Sequence, residues 1–166
     1  LAGQGVEALY AAVENAGILS VGINCGTGPE FMTDHVRTLG SIARCHVTCY
    51  PNAGLPDSSG AYNESPKQMA AVLARFAGNG WVNLVGGCCG TNAEHIREIA
   101  QVARAGRPRV APYERRTHFS GIDYVALDES NRPLIVGERT NVIGSRRFKE
   151  LISGERFEEA AEVARR

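Results

Sequence analysis

Three short apolar runs, alternating with segments of helical periodicity, limit what this chain can fold into. The first, Ile18 to Ile23, reads as a buried strand; Cys45 to Tyr50 and Trp81 to Val85 read as a second and a third. Ahead of them, Val6, Leu9, Tyr10 and Val13 repeat at helical spacing, and Gly17 closes that helix. Pro29 suits the first turn of a helix that buries Met32, Val36 and Leu39. Ser65-Pro66-Lys67-Gln68 has the form of a capping box, followed by Met69, Val72, Leu73 and Phe76 on one helical face. Thr91-Asn92-Ala93-Glu94 has the same form and opens a helix through about Ala103. Strands that alternate with helices imply parallel β-α units.

Three such units leave sheet edges open, so they belong either to a closed eight-unit barrel or to an open doubly wound sheet. Cys25, Asn52 and the pair Cys88-Cys89 each fall just past the C-terminal end of a different strand. Barrel enzymes assemble their chemistry from several loops on that face, whereas an open sheet concentrates its site at one crevice. The expected fold class is therefore α/β, with residues 1–105 as the C-terminal part of a (β/α)8 TIM barrel. The helical and strand periodicity then lapses. Gly106-Arg107-Pro108-Arg109 and Ala111-Pro112 suggest a linker over 106–131, with a short strand or two between Phe119 and Leu127. Pro133-Leu134-Ile135-Val136 reads as a new buried strand, and helical segments follow near Arg146 to Ile152 and Glu155 to Arg166. Residues 132–166 are thus expected to be the first β-α unit of a second barrel. A start at Leu1 and a helical end without a stop signal read as a segment of a longer protein.

Charge and cysteine usage narrow the partners. Lys plus Arg and Asp plus Glu both number 18, which points to neither nucleic acid nor an anionic membrane as partner. No apolar run reaches the ~20 residues of a membrane span. Five cysteines, an odd number with two adjacent, do not form a secreted disulfide framework and suit a reducing cytoplasm. Gly22, Gly26 and Gly28 lack the order needed to cradle a dinucleotide.

The adjacent cysteines carry the chemistry. Neighbouring thiols strain any disulfide between them, and a glycine turn that aims both at one object suits a soft tetrahedral metal, zinc above all. Cys25 supplies a third sulfur from another loop, too distant in sequence for a finger-type motif, so only the fold can bring the three together. Three thiolates leave zinc one open position, as in a catalytic site. The alternative is that these cysteines are small buried hydrophobes. Cys45 and Cys49 take that packing role, because they share one face of a strand. His46 and His95 have no local ligand partner and default to packing or solvent. Glu138 and Asn141 in Gly137-Glu138-Arg139-Thr140-Asn141 either bind a polar heterocycle or leave Glu138 in an ion pair at the rim.

Taken together, several runs resemble the cobalamin-dependent methionine synthases. They are Val21-Gly22-Ile23-Asn24-Cys25 with Gly28-Pro29, then Tyr50-Pro51-Asn52-Ala53-Gly54-Leu55-Pro56, then Val85 through Thr91. The last is Val136-Gly137-Glu138-Arg139-Thr140-Asn141-Val142 with Gly144-Ser145 and Arg147-Phe148. The cysteine motifs are shared with other homocysteine methyltransferases, including the betaine-dependent kind; the run at 137–141 after a linker points to the methionine synthases. The resemblance implies a homocysteine-binding barrel followed by the start of a pterin-binding barrel. It implies that Cys25, Cys88 and Cys89 hold zinc, that the Asn52 carbonyl fills the fourth position until substrate arrives, and that Glu138 and Asn141 contact folate. The implied reaction methylates the thiol of homocysteine to give methionine. Methylcobalamin is the carrier, bound by a cobalamin domain of the same full-length protein that is absent from this chain, and methyltetrahydrofolate is the donor. The chain alone is expected to be inactive. The other readings are a cobalamin-independent homocysteine methyltransferase and a non-catalytic zinc-thiolate module.

Overall fold

The computed structural model describes residues 3–114, 116–134 and 140–165, which divide into two compact units, Leu1–Leu127 and Asp128–Arg166. In the first unit, helix α1 (Val6–Val13) leads through a 3-10 turn to strand β1 (Ser20–Asn24), and Gly17 sits between them at φ 68. A 3-10 turn at Pro29–Met32 continues into helix α2 (Thr33–Ile42), and strand β2 (His46–Tyr50), helix α3 (Pro66–Gly78), strand β3 (Leu84–Val85) and helix α4 (Ala93–Ala105) follow. The strands are parallel in the order β1-β2-β3, with Val21 opposite Val47, Ile23 opposite Cys49 and Cys49 opposite Val85. This is the mixed α/β, parallel arrangement expected; no closed barrel is formed among the described residues.

One sheet face makes the core. Val21, Val47 and Cys49 meet Met32, Val36 and Leu39 from the α2 side, Met69, Leu73 and Phe76 from α3, and Ile99 from α4. The opposite face carries Ser20, Gly22, Asn24, His46 and Leu84, all exposed. The first apolar run is therefore a strand buried on one side only, because alternate residues of a strand face opposite ways. Leu9 departs from its expected burial at 43% exposed, whereas Tyr10 is buried as its spacing implied and Ala8 is buried as well.

The third strand is shorter than the run Trp81 to Val85 suggested. Asn83 accounts for this: its side-chain Oδ1 accepts the Val47 N–H at 3.0 Å, and its own N–H donates to Val47 O. A side chain thus takes a ladder bond that a neighbouring backbone would otherwise make.

Both helices that approach the strand ends are capped as boxes, with one shift of register. Ser65 Oγ accepts Gln68 N–H, and Gln68 Oε1 accepts Ser65 N–H at 2.9 Å. On α4 the cap is Asn92 rather than Thr91, and its reciprocal partner is His95 rather than Glu94. Asn92 Oδ1 accepts the N–H groups of Glu94 and His95 at 3.0 and 3.2 Å, satisfying two donors a helix start leaves unpaired. Nε2–H of His95 donates to Glu64 O at 2.9 Å, so this buried histidine ties the cap to the preceding loop. Asn92→Ala is expected to cost about 1 kcal/mol and lower the thermal midpoint by a few degrees, read by circular dichroism melting.

Residues 106–127, read from sequence as part of a linker, lie within the first unit. Arg109 is buried and donates to the carbonyls of Gly40 (2.8 Å), Cys45 (3.1 Å) and Ala43. It thereby serves the carbonyl-rich end of α2, where a cation is favoured. The two short strands expected after Phe119 are β4 (His118–Ser120) and β5 (Tyr124–Ala126), an antiparallel pair. Ser120 Oγ donates to Ala8 O at 2.5 Å, and His118 Nε2 lies 2.7 Å from Glu14 Oε1 with both side chains largely buried.

In the second unit, α5 (Arg146–Ser153) and α6 (Phe157–Arg165) bury Leu151 and Ala160. Ser145 caps α5 by accepting Phe148 N–H at 3.2 Å. Ile135 and Val136 of the expected strand lie outside the described residues. No helix among the described residues is long and apolar enough to cross a membrane.

Candidate metal centre

Parallel strands end on the same side of the sheet, so the loops that follow β1, β2 and β3 converge. Cys25 follows β1 in a left-handed backbone conformation, φ 62, and its N–H donates to Tyr50 O at 3.0 Å. That conformation is unfavourable for a residue with a Cβ, and such strain gathers at functional sites. The turn after β3 is held to the β2 loop by two backbone bonds, Cys88 N–H to Pro51 O at 2.8 Å and Ala53 N–H to Cys89 O at 2.9 Å. Cys25 and Cys89 place their sulfurs 3.6 Å apart, Cys88 and Cys89 theirs 3.9 Å apart, and all three Sγ atoms lie within 4.8 Å of one another.

These separations fit a metal. Tetrahedral zinc with Zn–S bonds of ~2.3 Å sets its sulfurs ~3.8 Å apart, and a disulfide would need ~2.05 Å. The donor set is three soft sulfurs, the kind zinc selects. Electrostatics agree. The Cys25 thiol is pulled below its ordinary pKa by the Gly26 N–H, then by the Cys89 and Cys88 side chains and by Asn52. The Cys89 thiol is pushed up, first by its hydrogen bonds with Cys25 and Cys88 and then by their charges. Sulfurs that share so small a volume release protons one after another, and a bound cation removes the repulsion that resists the later ones.

Asn52 lies at the centre of the arrangement, 4% exposed. Its Oδ1 accepts the Cys89 N–H at 3.0 Å. That bond fixes which end of the amide is oxygen.

Residues 1–103 match the family model for homocysteine S-methyltransferase. The chain belongs to that family. The match encloses Cys25, Asn52, Cys88 and Cys89, and it makes the domain a methyltransferase whose substrate is homocysteine. In a homocysteine S-methyltransferase the methyl acceptor is a thiol, so a three-sulfur site able to hold a metal such as zinc suits the substrate's own chemistry.

Cys45, Cys49, His46 and His95 do not join the site. Cys49 is fully buried, and burial pushes its thiol up to about 12. Cys45 packs half-buried against the core. His46 is exposed and His95 belongs to the α4 cap.

Tyr62 does join the site, and sequence reasoning passed over it. A Cβ placed on Gly90, φ 76, would lie 2.2 Å from Tyr62 Cγ, so the ring presses directly on the turn that carries Cys89. The Tyr62 hydroxyl is raised above its ordinary pKa by burial, and then by the Cys89 charge and a hydrogen bond with the Cys89 side chain. The available signal was one aromatic within a loop of Asp, Ser, Gly and Asn.

Of the expected folate contacts, Glu138 lies outside the described residues. Asn141 Oδ1 accepts the N–H groups of Ile143 and Gly144 at 2.8 and 3.3 Å, a local turn ahead of α5.

Proposed function

We propose that this chain is the zinc-binding part of a cobalamin-dependent methionine synthase. The observation that carries the reading is the sulfur triangle of Cys25, Cys88 and Cys89, whose two short edges of 3.6 and 3.9 Å bracket the spacing zinc requires. These residues hold the metal, and Asn52 Oδ1, which has a second lone pair beside the one used by Cys89 N–H, is the donor for the fourth position before substrate binds. Bound zinc supplies Lewis acidity that favours the thiolate of homocysteine at neutral pH.

Residues 1–105 form part of the homocysteine barrel, 106–131 lead out of it, and 132–166 begin the pterin barrel, where Glu138 and Asn141 contact methyltetrahydrofolate. Methylcobalamin carries the methyl group on a domain outside this chain, so methyl transfer is not expected of the chain alone. The run at 137–141 is what favours this reading over a betaine-type enzyme. Five unpaired cysteines support a cytoplasmic setting.

Cobalt(II) substitution tests the open position. The cobalt-loaded chain is expected to show an intense thiolate charge-transfer band that changes on adding homocysteine and does not change on adding methionine. A band indifferent to homocysteine would mean a closed structural site and would end the catalytic reading.

A further inference from the structure

The capping boxes of α3 and α4 differ in one residue that helix capping does not explain. On α3 the reciprocal acceptor is Gln68, whose Oε1 takes the Ser65 N–H and the Ser65 hydroxyl and stays within the box. Glutamate and glutamine are the ordinary residues there, because closing the box takes one acceptor. On α4 the position belongs to His95, buried at 5% exposure. A histidine carries two ring nitrogens on different edges, so it can serve the cap and a second group at once.

Both nitrogens are used. Nδ1 meets the Asn92 cap, 3.3 Å from its backbone nitrogen and 2.8 Å from its Oδ1, and Nε2 lies 2.9 Å from Glu64 O. A carbonyl oxygen only accepts, so Nε2 carries a proton whether the ring is neutral or charged. From Glu64 the bonds return to the cysteines. Glu64 N–H donates to Ala53 O at 3.1 Å, and Ala53 N–H donates to Cys89 O at 2.9 Å. Asn92 stands just after the cysteine turn, which Thr91 Oγ1 closes on Cys88 O at 2.7 Å. Cys89, Ala53, Glu64, His95 and Asn92 thus form a closed circuit around that turn. The Glu64 side chain also lies against the loop of Cys25. A Cβ on Gly28 would stand 2.5 Å from Glu64 Oε2, and one on Gly54 would stand 3.3 Å from Glu64 Cβ.

We propose that His95 is a positioning residue of the metal centre, its Nε2–H holding Glu64 O so that the loops bearing Cys25, Asn52 and Cys88-Cys89 keep one spacing. It touches neither metal nor substrate and acts through Glu64 and Ala53. Ligands held in place before the metal arrives lose less freedom on binding it, so a slack circuit weakens the site more than the fold. The proposal rests on the metal reading above.

Two substitutions separate the bridge from the cap. His95→Gln sets an amide N–H donor at the place of Nε2. His95→Asn sets an acceptor at the place of Nδ1 and removes the donor to Glu64 O. Zinc affinity, measured by competition with a chromophoric chelator, is expected to fall on the order of tenfold in His95→Asn, as for other partners of metal ligands. In His95→Gln it is expected to stay near that of the unmodified chain. The ligand-field bands of the cobalt-loaded chain are expected to change shape in His95→Asn and not in His95→Gln. Far-ultraviolet circular dichroism below the melting midpoint establishes that each chain is folded. A role confined to the cap would lower the midpoint and leave zinc affinity and the bands alone. Unchanged zinc affinity in a folded His95→Asn chain overturns the role of His95, as does a loss in His95→Gln as large as that expected of His95→Asn. An unmodified chain that takes up neither zinc nor cobalt overturns the metal reading, and this proposal with it.

Discussion

Cys88→Ala is expected to leave the purified chain without bound zinc, with affinity falling by more than ~100-fold, the upper end of what even outer-shell changes cost. The size follows from the ligand count. Three protein sulfurs surround the position, and removing one leaves a pair that must recruit water to complete the shell. The fold is expected to survive, because the contact that places residue 88 is its backbone N–H to Pro51 O, which alanine retains. Metal content by mass spectrometry and far-ultraviolet circular dichroism of the same sample separate the two effects. Zinc at the unmodified level in a folded Cys88→Ala chain would remove these cysteines from the metal assignment.

Phe76→Ala is expected to produce the largest loss of stability, about 3–5 kcal/mol, set against totals of about 5–15 kcal/mol for a whole domain. Phe76 is fully buried on α3 beside Met69 and Leu73, with its ring centroid 5.7 Å from that of Trp81. Alanine leaves a cavity that a close-packed interior fills only in part. The same position also steadies the route to the site: Phe76 O accepts the Trp81 N–H at 3.0 Å, immediately ahead of the strand that delivers Cys88 and Cys89. Urea unfolding is expected to show a markedly lower midpoint with an unchanged slope. A loss below about 1 kcal/mol would show that the surrounding side chains close over the gap, contrary to the packing described.

Much of the first unit was legible in one dimension because its periodicities are local. Met32, Val36 and Leu39, and Met69, Leu73 and Phe76, are buried as their helical spacing implied. The proline and the capping box that opened those helices act within a single turn, so neighbours in sequence suffice to recognise them. The shift of the α4 cap from Thr91 to Asn92 is a contest the sequence leaves nearly balanced, since both residues can cap. His95 tips it by accepting the Asn92 N–H while anchored to Glu64, thirty-one positions away. Asn83 shortened β3 through a side-chain bond to Val47, which no strand propensity encodes. The burial of Arg109 has a similar reason: its three carbonyl partners lie on and just after α2, far from it in the chain.

What the sequence determined by itself was the chemistry on offer: three cysteines in glycine turns at strand ends, and a β-α order that sends successive strand ends to one side. Those are properties of residue type and local period, and they were enough to nominate Cys25, Cys88 and Cys89 as a group. Only the tertiary structure decided that two pairs of their sulfurs stand 3.6 and 3.9 Å apart, that Asn52 Oδ1 meets the Cys89 N–H, and that the Tyr62 ring lies against the turn. Distances between loops depend on strand register and on backbone bonds between segments far apart in the chain. A one-residue slip of β1 against β2 would turn every side chain to the other face while leaving each local pattern unchanged.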